Sequence, residues 1–183
     1  MDGATPSSAS GSPVDEFASC HEGVLAQLHT LRELPTLLEP AARARNISAK
    51  SLVFFREVIL EHHGQEESEL FPAVLASARA GEERDQVQAI TKRLSQEHRA
   101  IETEWAALEP QLKRVAKGQD TTLDGGRLDD LVQRYMDHAS YEEQVFLPLA
   151  KTVLGRNSDH MAALGLSLHL RHSTALKRFG ARL

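Results

Sequence analysis

The sequence predicts an all-α protein, an up-down four-helix bundle with an additional C-terminal helix. Three observations predict it. Apolar residues recur at helical spacing along the chain, as in Leu25, Leu28 and Leu31, or Leu94, Ile101, Trp105 and Leu108. No segment alternates apolar and polar residues as a strand would. The chain also repeats itself. The phrase His62-His63-Gly64-Gln65-Glu66-Glu67-Ser68-Glu69-Leu70-Phe71-Pro72 returns as His138-Ala139-Ser140-Tyr141-Glu142-Glu143-Gln144-Val145-Phe146-Leu147-Pro148. Each places a His, then Glu-Glu starting four residues on, then a Pro ten residues from the His. His21 leads Val24, Leu28 and Leu31, and His98 leads Ile101, Trp105 and Leu108 at the same offsets. A helical hairpin used twice gives this order of His, His-x-x-x-Glu, His, His-x-x-x-Glu.

The elements follow in chain order. Residues 1–13, rich in Ser, Gly, Ala, Thr and Pro, read as a disordered lead. A first helix covers 14–31 and gives way where Pro35 and Pro40 disturb it. Residues 41–47 form a crossing, and Ser48 caps a second helix over 49–79, which Pro72 kinks or breaks. Gly81 separates it from a third helix over 82–117 that bends at Pro110. A loop over 118–126 leads to a fourth helix over 127–153, with Pro148 inside it. After a break at 155–158, Ser158 caps a fifth helix over 159–178. The domain reading is therefore a lead at 1–13, a bundle at 14–155, and a C-terminal helix within 156–183 that packs on the bundle or extends from it.

Composition narrows the function. The chain has 183 residues, enough for one domain with a real core. Its net charge is −5, and no basic stripe or aromatic platform offers a nucleic-acid surface. No apolar run approaches the roughly 20 residues of a membrane span. The N-terminus lacks the basic start and apolar stretch of a secretory signal. One cysteine allows no internal disulfide, so the expected location is cytoplasmic. The unusual feature is nine histidines beside two Tyr and one Trp.

Spacing turns those histidines into a candidate site. On a helix, residues four apart share a face one turn apart. His-x-x-x-Glu thus offers one imidazole and one carboxylate from a single helix. Two such helices, joined by a His from each of the other two, give six metal ligands: His21, His62, Glu66, His98, His138 and Glu142. This donor set suits iron, manganese or zinc rather than a thiolate-bound metal. Bundle cores accommodate dinuclear carboxylate sites of this kind. Without metal, burying these groups is costly.

At these residues, over 14–153, the chain resembles the hemerythrin-like, or HHE cation-binding, family. The resemblance implies a four-helix bundle around a non-haem di-iron centre. Two iron ions would be bridged by Glu66 and Glu142 and by a water, hydroxide or oxo group. Open positions would admit a small diatomic ligand or peroxide, and manganese or zinc suit the same donors. The resemblance implies a protein that binds or senses dioxygen, nitric oxide or peroxide. The same residues would serve a di-iron enzyme that reduces peroxide or nitric oxide, or donates iron for iron–sulfur repair. They would equally serve a metal-stabilised interaction module with a protein partner. The oxygen-carrying members place a second His four residues after the third-helix ligand, where this chain has Glu102. Their last carboxylate follows its His by five residues, and here the gap is four. The chain is therefore a poor match to a carrier with five His ligands.

Register is the open question, because His62/Glu66 and His63/Glu67 share the same spacing. The Pro at +10 aligns His62 with His138 and Glu66 with Glu142, which selects the first pair. His63, about 100° around the helix, is then expected behind the ligands or at the surface. Glu102 reads either as a third carboxylate ligand or as a surface ion-pairing residue. Tyr141 reads as a core ring or as a hydrogen-bonding group at the site. Cys20 is expected to be a small buried thiol, and His29, His169 and His172 to lie outside the site. Leu25, Phe54, Phe55, Leu94, Ile101, Phe146 and Leu149 would wall it and limit solvent.

Overall fold

The computed structural model describes residues 13–156, with side chains from Cys20 onward. The lead at 1–12 and the expected fifth helix lie outside the described residues. The fold is all-α, with no strand among the described residues. No described helix is long and apolar enough to cross a membrane. The chain divides into two compact units, Met1–Arg43 and Ala44–Leu183.

The first unit holds α1, Pro13–Leu31, and the start of α2, Leu34–Phe54. Residues 41–47, expected as a crossing, are helical. Pro35 sits in the first turn of α2, where a missing N–H costs nothing. Ala41, Ala42, Arg43, Ala44 and Arg45 then follow Pro40 as strong helix formers. Ser48 is not a cap but a buried residue inside α2. Every described side chain from Cys20 to Ile47 is exposed, so Cys20 and Leu25 are not the buried residues expected.

The second unit is built from three rods. The first continues from α2 through a π turn, Phe55–Ile59, then α3, Leu60–Gln65, a second π turn, Glu66–Leu70, and α4, Phe71–Ser77. The second rod is α5, Glu82–Ala116. The third is α6, Gly125–Tyr141, a π turn Glu142–Phe146, and α7, Leu147–Leu154. Gly81, at φ 94°, turns the chain into α5 in a conformation that suits glycine. Asp124 caps α6 by accepting the backbone N–H of Arg127 at 3.0 Å. Arg156 donates to both oxygens of Glu83 at 2.8 and 2.5 Å, tying the end of α7 to the first turn of α5.

Two apolar clusters hold the rods together. One takes Leu70, Phe71 and Val74 from the first rod, Val87, Ile90 and Leu94 from α5, and Phe146 to Leu154 from the third. The other takes Phe55 and Ile59, then Ile101, Trp105, Leu108 and Leu112, and Leu131. The rods therefore alternate in direction. Each passes from one cluster to the other, and the histidine phrases lie on the stretch between. Within the clusters Phe55 stacks on Trp105 at 3.9 Å, and Phe71 meets Phe146 edge-on at 5.1 Å. Trp105 is thus packing, as its place in the stripe suggests.

The π turns explain how the rods keep one face inward. On a straight α-helix, steps of four residues drift about 40° each. Helix α5 has no π turn and buries a mixed series of steps of three and four: Val87, Ile90, Leu94, His98, Ile101, Trp105, Leu108, Leu112. The other rods bury longer runs of four-residue steps. They run Phe55, Ile59, His63, then Glu66, Leu70, Val74, Ala78, and His138, Glu142, Phe146, Ala150, Leu154. A turn widened by an extra residue takes up part of that drift. Pro72 and Pro148 fall just after two of these turns. The residue ahead of each proline donates five residues back, Phe71 to the Glu66 carbonyl and Leu147 to the Glu142 carbonyl. The carbonyl that proline leaves without a donor falls in the widened turn, so the helix continues past Pro148, as expected of an internal proline, and past Pro72, where the sequence suggests a kink or a break.

Leu108 lies wholly inside the second cluster, more than two turns from His98. Leu108→Ala should lower the unfolding free energy by about 2–5 kcal/mol in urea titrations, with the far-UV spectrum unchanged.

Candidate metal centre

Between the two apolar clusters lies a polar layer. His62 and His63 come from α3, Glu66 from the π turn after it, His98 from α5, His138 from α6 and Glu142 from the following π turn. They fall into two groups of three donors, His63, His98 and His138 in one, His62, Glu66 and Glu142 in the other. Within each group the ligand atoms lie within 4.8 Å of one another. Five of the six residues singled out by spacing, His62, Glu66, His98, His138 and Glu142, are brought together here. His21 is exposed on α1 in the first unit, and neither group draws on it.

The expectation for His63 needs correction. It is not behind the ligands but 1% exposed, its ring stacked on that of His98 at 3.9 Å. The register choice was too narrow, because both histidines of the pair face inward, one into each group. Only one of the two glutamates does. Glu66 is 2% exposed, whereas Glu67 stands at the rim. The missed signal was the four-residue series Phe55, Ile59, His63, which places His63 on the buried face.

Glu66 sits between the groups. One oxygen is 3.3 Å from Nε2 of His62, the other 3.2 Å from Nε2 of His98. Glu142 lies 3.9 Å from Nε2 of His62. The inward atoms are poorly satisfied: Nε2 of His63 and of His138 is buried without a hydrogen bond, and Glu66 turns both buried oxygens toward ring nitrogens. Buried polar atoms are normally satisfied. Several converging on one point fit a metal, which accepts lone pairs and needs no hydrogen. The site is not called for by packing, since apolar clusters on either side already hold the rods.

The outward ring nitrogens are engaged differently. Nδ1 of His98 meets Glu67 at 2.7 Å, Nδ1 of His138 meets Glu97 at 3.1 Å, and Nδ1 of His63 meets Glu102 at 3.4 Å. Glu102 is thus a partner of a histidine and of Arg99, and belongs to neither donor group. Tyr141 is half-buried at the rim, with the Arg93 guanidinium 3.5 Å over its ring. Tyr135 packs 6.3 Å from the His63 ring and 6.1 Å from that of His138. It also lines an apolar groove of about 460 Å³ beside Phe54, Trp105, Leu131 and Met136. Phe55, Leu94, Ile101 and Phe146 are buried in the apolar clusters that flank the layer.

Electrostatics reflects the burial of like charges. Burial, reinforced by His98, His138 and His62, drives the His63 imidazole down to about 2, so it is neutral. Burial also lowers His138, which Glu97 only partly offsets. On His98 burial opposes charge, but Glu66 and Glu67 outweigh it and raise the imidazole above its ordinary value. Burial and the neighbouring Glu66 push Glu142 up to about 8. Burial, then Glu66 and Glu142, raise the Tyr135 hydroxyl. A cation would reverse the penalty on both carboxylates and take the lone pairs of neutral imidazoles.

The model of the hemerythrin HHE cation-binding domain matches residues 12–150 of the chain. An uncharacterized protein of Haemophilus influenzae is 26% identical over 158 residues, 82% of this chain and 88% of that protein. No solved structure matches the chain.

The raised carboxyl has a measurable sign. Above 4.5 the unfolded chain releases the Glu142 proton that the folded protein keeps, so metal-free stability falls from there to about 8. His63 acts from the other side. Below 6.5 the unfolded chain takes a proton that the folded protein refuses, so stability also falls as pH drops from 6.5. Glu142→Gln should therefore raise the melting temperature of metal-free protein near pH 8 and leave it nearly unchanged near pH 4. Equal shifts at both pH values would contradict this account.

Proposed function

The chain belongs to the hemerythrin HHE cation-binding domain family, and we propose on that footing that it holds a dinuclear non-haem iron centre with which it binds or senses dioxygen, nitric oxide or peroxide. One observation carries the reading: two three-donor groups share a buried layer, with Glu66 turned toward a histidine of each. One ion would be held by His63, His98 and His138, the other by His62, Glu66 and Glu142. Glu66 is the residue placed to bridge them.

The donors fit iron on chemical grounds. Imidazoles and carboxylates are the ligands of non-haem iron, and neither donor group includes a thiolate. When bound, an iron pair supplies redox chemistry and sites for a small ligand. The chain's own residues hold the donors in place and keep bulk water out. Phe146, Leu94 and Ile101 are almost wholly buried around them. Such a dry wall favours small neutral ligands over ions. Three protein donors per ion are fewer than iron ordinarily takes, which favours ligand binding. A cytoplasmic location goes with this reading.

Protein purified without added metal should contain about two irons per chain. Glu66→Leu should bring this below about one, because the bridging carboxylate serves both ions. Nitric oxide added anaerobically to the ferrous protein should change its visible spectrum. Absence of iron, with none taken up from anaerobic ferrous salt, would overturn the proposal.

A further inference from the structure

The three histidines of one donor group come from three helices, yet each is held by a carboxylate of another helix. Glu102 of α5 engages His63 of α3, and Glu67 of the π turn after α3 engages His98 of α5. These two contacts are reciprocal across one helix pair. Glu97 of α5 engages His138 of α6. The carboxylates are themselves fixed. Arg99 donates to Glu102 at 2.8 Å and also to Glu67. Arg93 donates to Glu97 at 2.7 Å.

The chemistry of these contacts is directional. A carboxylate only accepts, so the Nδ1 facing it must carry the hydrogen, and the lone pair is left on Nε2. That nitrogen points inward in all three residues, without a hydrogen bond at His63 and His138 and with a Glu66 oxygen 3.2 Å away at His98, where high pH is needed to leave one ring hydrogen. Histidine offers two tautomers, and the outer partner selects one.

We propose that Arg99 and Arg93 are positioning residues for the metal centre, acting as two independent clamps: Arg99, through Glu67 and Glu102, sets the rings of His98 and His63, and Arg93, through Glu97, sets the ring of His138. The inference rests on the metal-binding reading and names the residues that tune its affinity. Arg99 is 60% exposed and touches no metal donor in either group. A surface arginine thus controls two buried imidazoles on different helices, a link that sequence spacing does not suggest.

The test uses Arg99→Leu, Arg93→Leu and Arg99→Lys in the full chain. Two readouts apply: ferrous iron affinity, and histidine tautomers in metal-free protein from long-range proton–nitrogen NMR well above neutral pH. Arg99→Leu should let His63 and His98 populate the Nε2–H tautomer while His138 stays as it was, and should weaken iron binding about 10–100-fold. Arg93→Leu should do the converse, moving His138 alone. Arg99→Lys keeps the charge without the fork, and should restore part of both effects. The proposal is overturned if the tautomers do not move, if each variant loosens all three histidines alike, or if they move while affinity stays constant. A wild-type chain that binds no iron would sink the di-iron reading, and the clamps would then stand or fall on the tautomers.

Discussion

The structure of the second unit is governed by the burial of a polar layer in an otherwise apolar core. Four imidazoles and two carboxylates occupy the space between two hydrophobic clusters. Buried ionisable groups without partners are among the costliest features a fold can carry. The protein meets that cost in three ways. Imidazoles are driven neutral, as at His63. One carboxyl holds its proton to about 8. Outer ring nitrogens are passed to partly exposed carboxylates, which lean on arginines nearer solvent. The inner atoms are left poorly compensated, and there a cation would supply what the protein withholds. Stability is given up in the layer and recovered in the clusters on either side.

Much of this was legible in the sequence. The helical stripe of α5 shows directly, because a straight helix buries steps of three and four and His98 falls within that series. The two Pro-terminated phrases reveal the donors on the other rods. What was not legible follows from assuming straight helices. His63 was set aside because it lies about 100° around the helix from His62, yet both rings reach the layer, one in each donor group. The runs of pure four-residue steps, Glu66 to Ala78 and His138 to Leu154, were the clue that this assumption fails. Prolines misled for a related reason. Pro35 and Pro40 lie in or near the first turns of α2, and Pro72 and Pro148 beside π turns, so none of them ends a helix. The exposure of α1 has no counterpart in its apolar spacing, which states a capacity for burial and not its outcome.

The departure at position 102 gains a meaning in three dimensions. The oxygen carriers that the chain resembles have a histidine there. Here that position is a glutamate, and the third imidazole of the group arrives from α3 as His63. Glu102 has not become a ligand in exchange. It holds the ring of the residue that supplies one. The third histidine of that group thus comes from another helix, so a motif read along one helix would miss it.

The π turns carry a consequence for how the chain can change length. A point substitution in Glu142–Phe146 alters one side chain, but losing a single residue there would return the segment to ordinary helical register. Everything beyond, from Phe146 through Ala150 to Leu154, would swing by about 100° out of its cluster, although no residue of that cluster had been touched. The same holds for Glu66–Leu70. These two stretches act as length gauges: a side chain on either side can be exchanged without loss of register, whereas an insertion or deletion keeps the register only in the connections between rods.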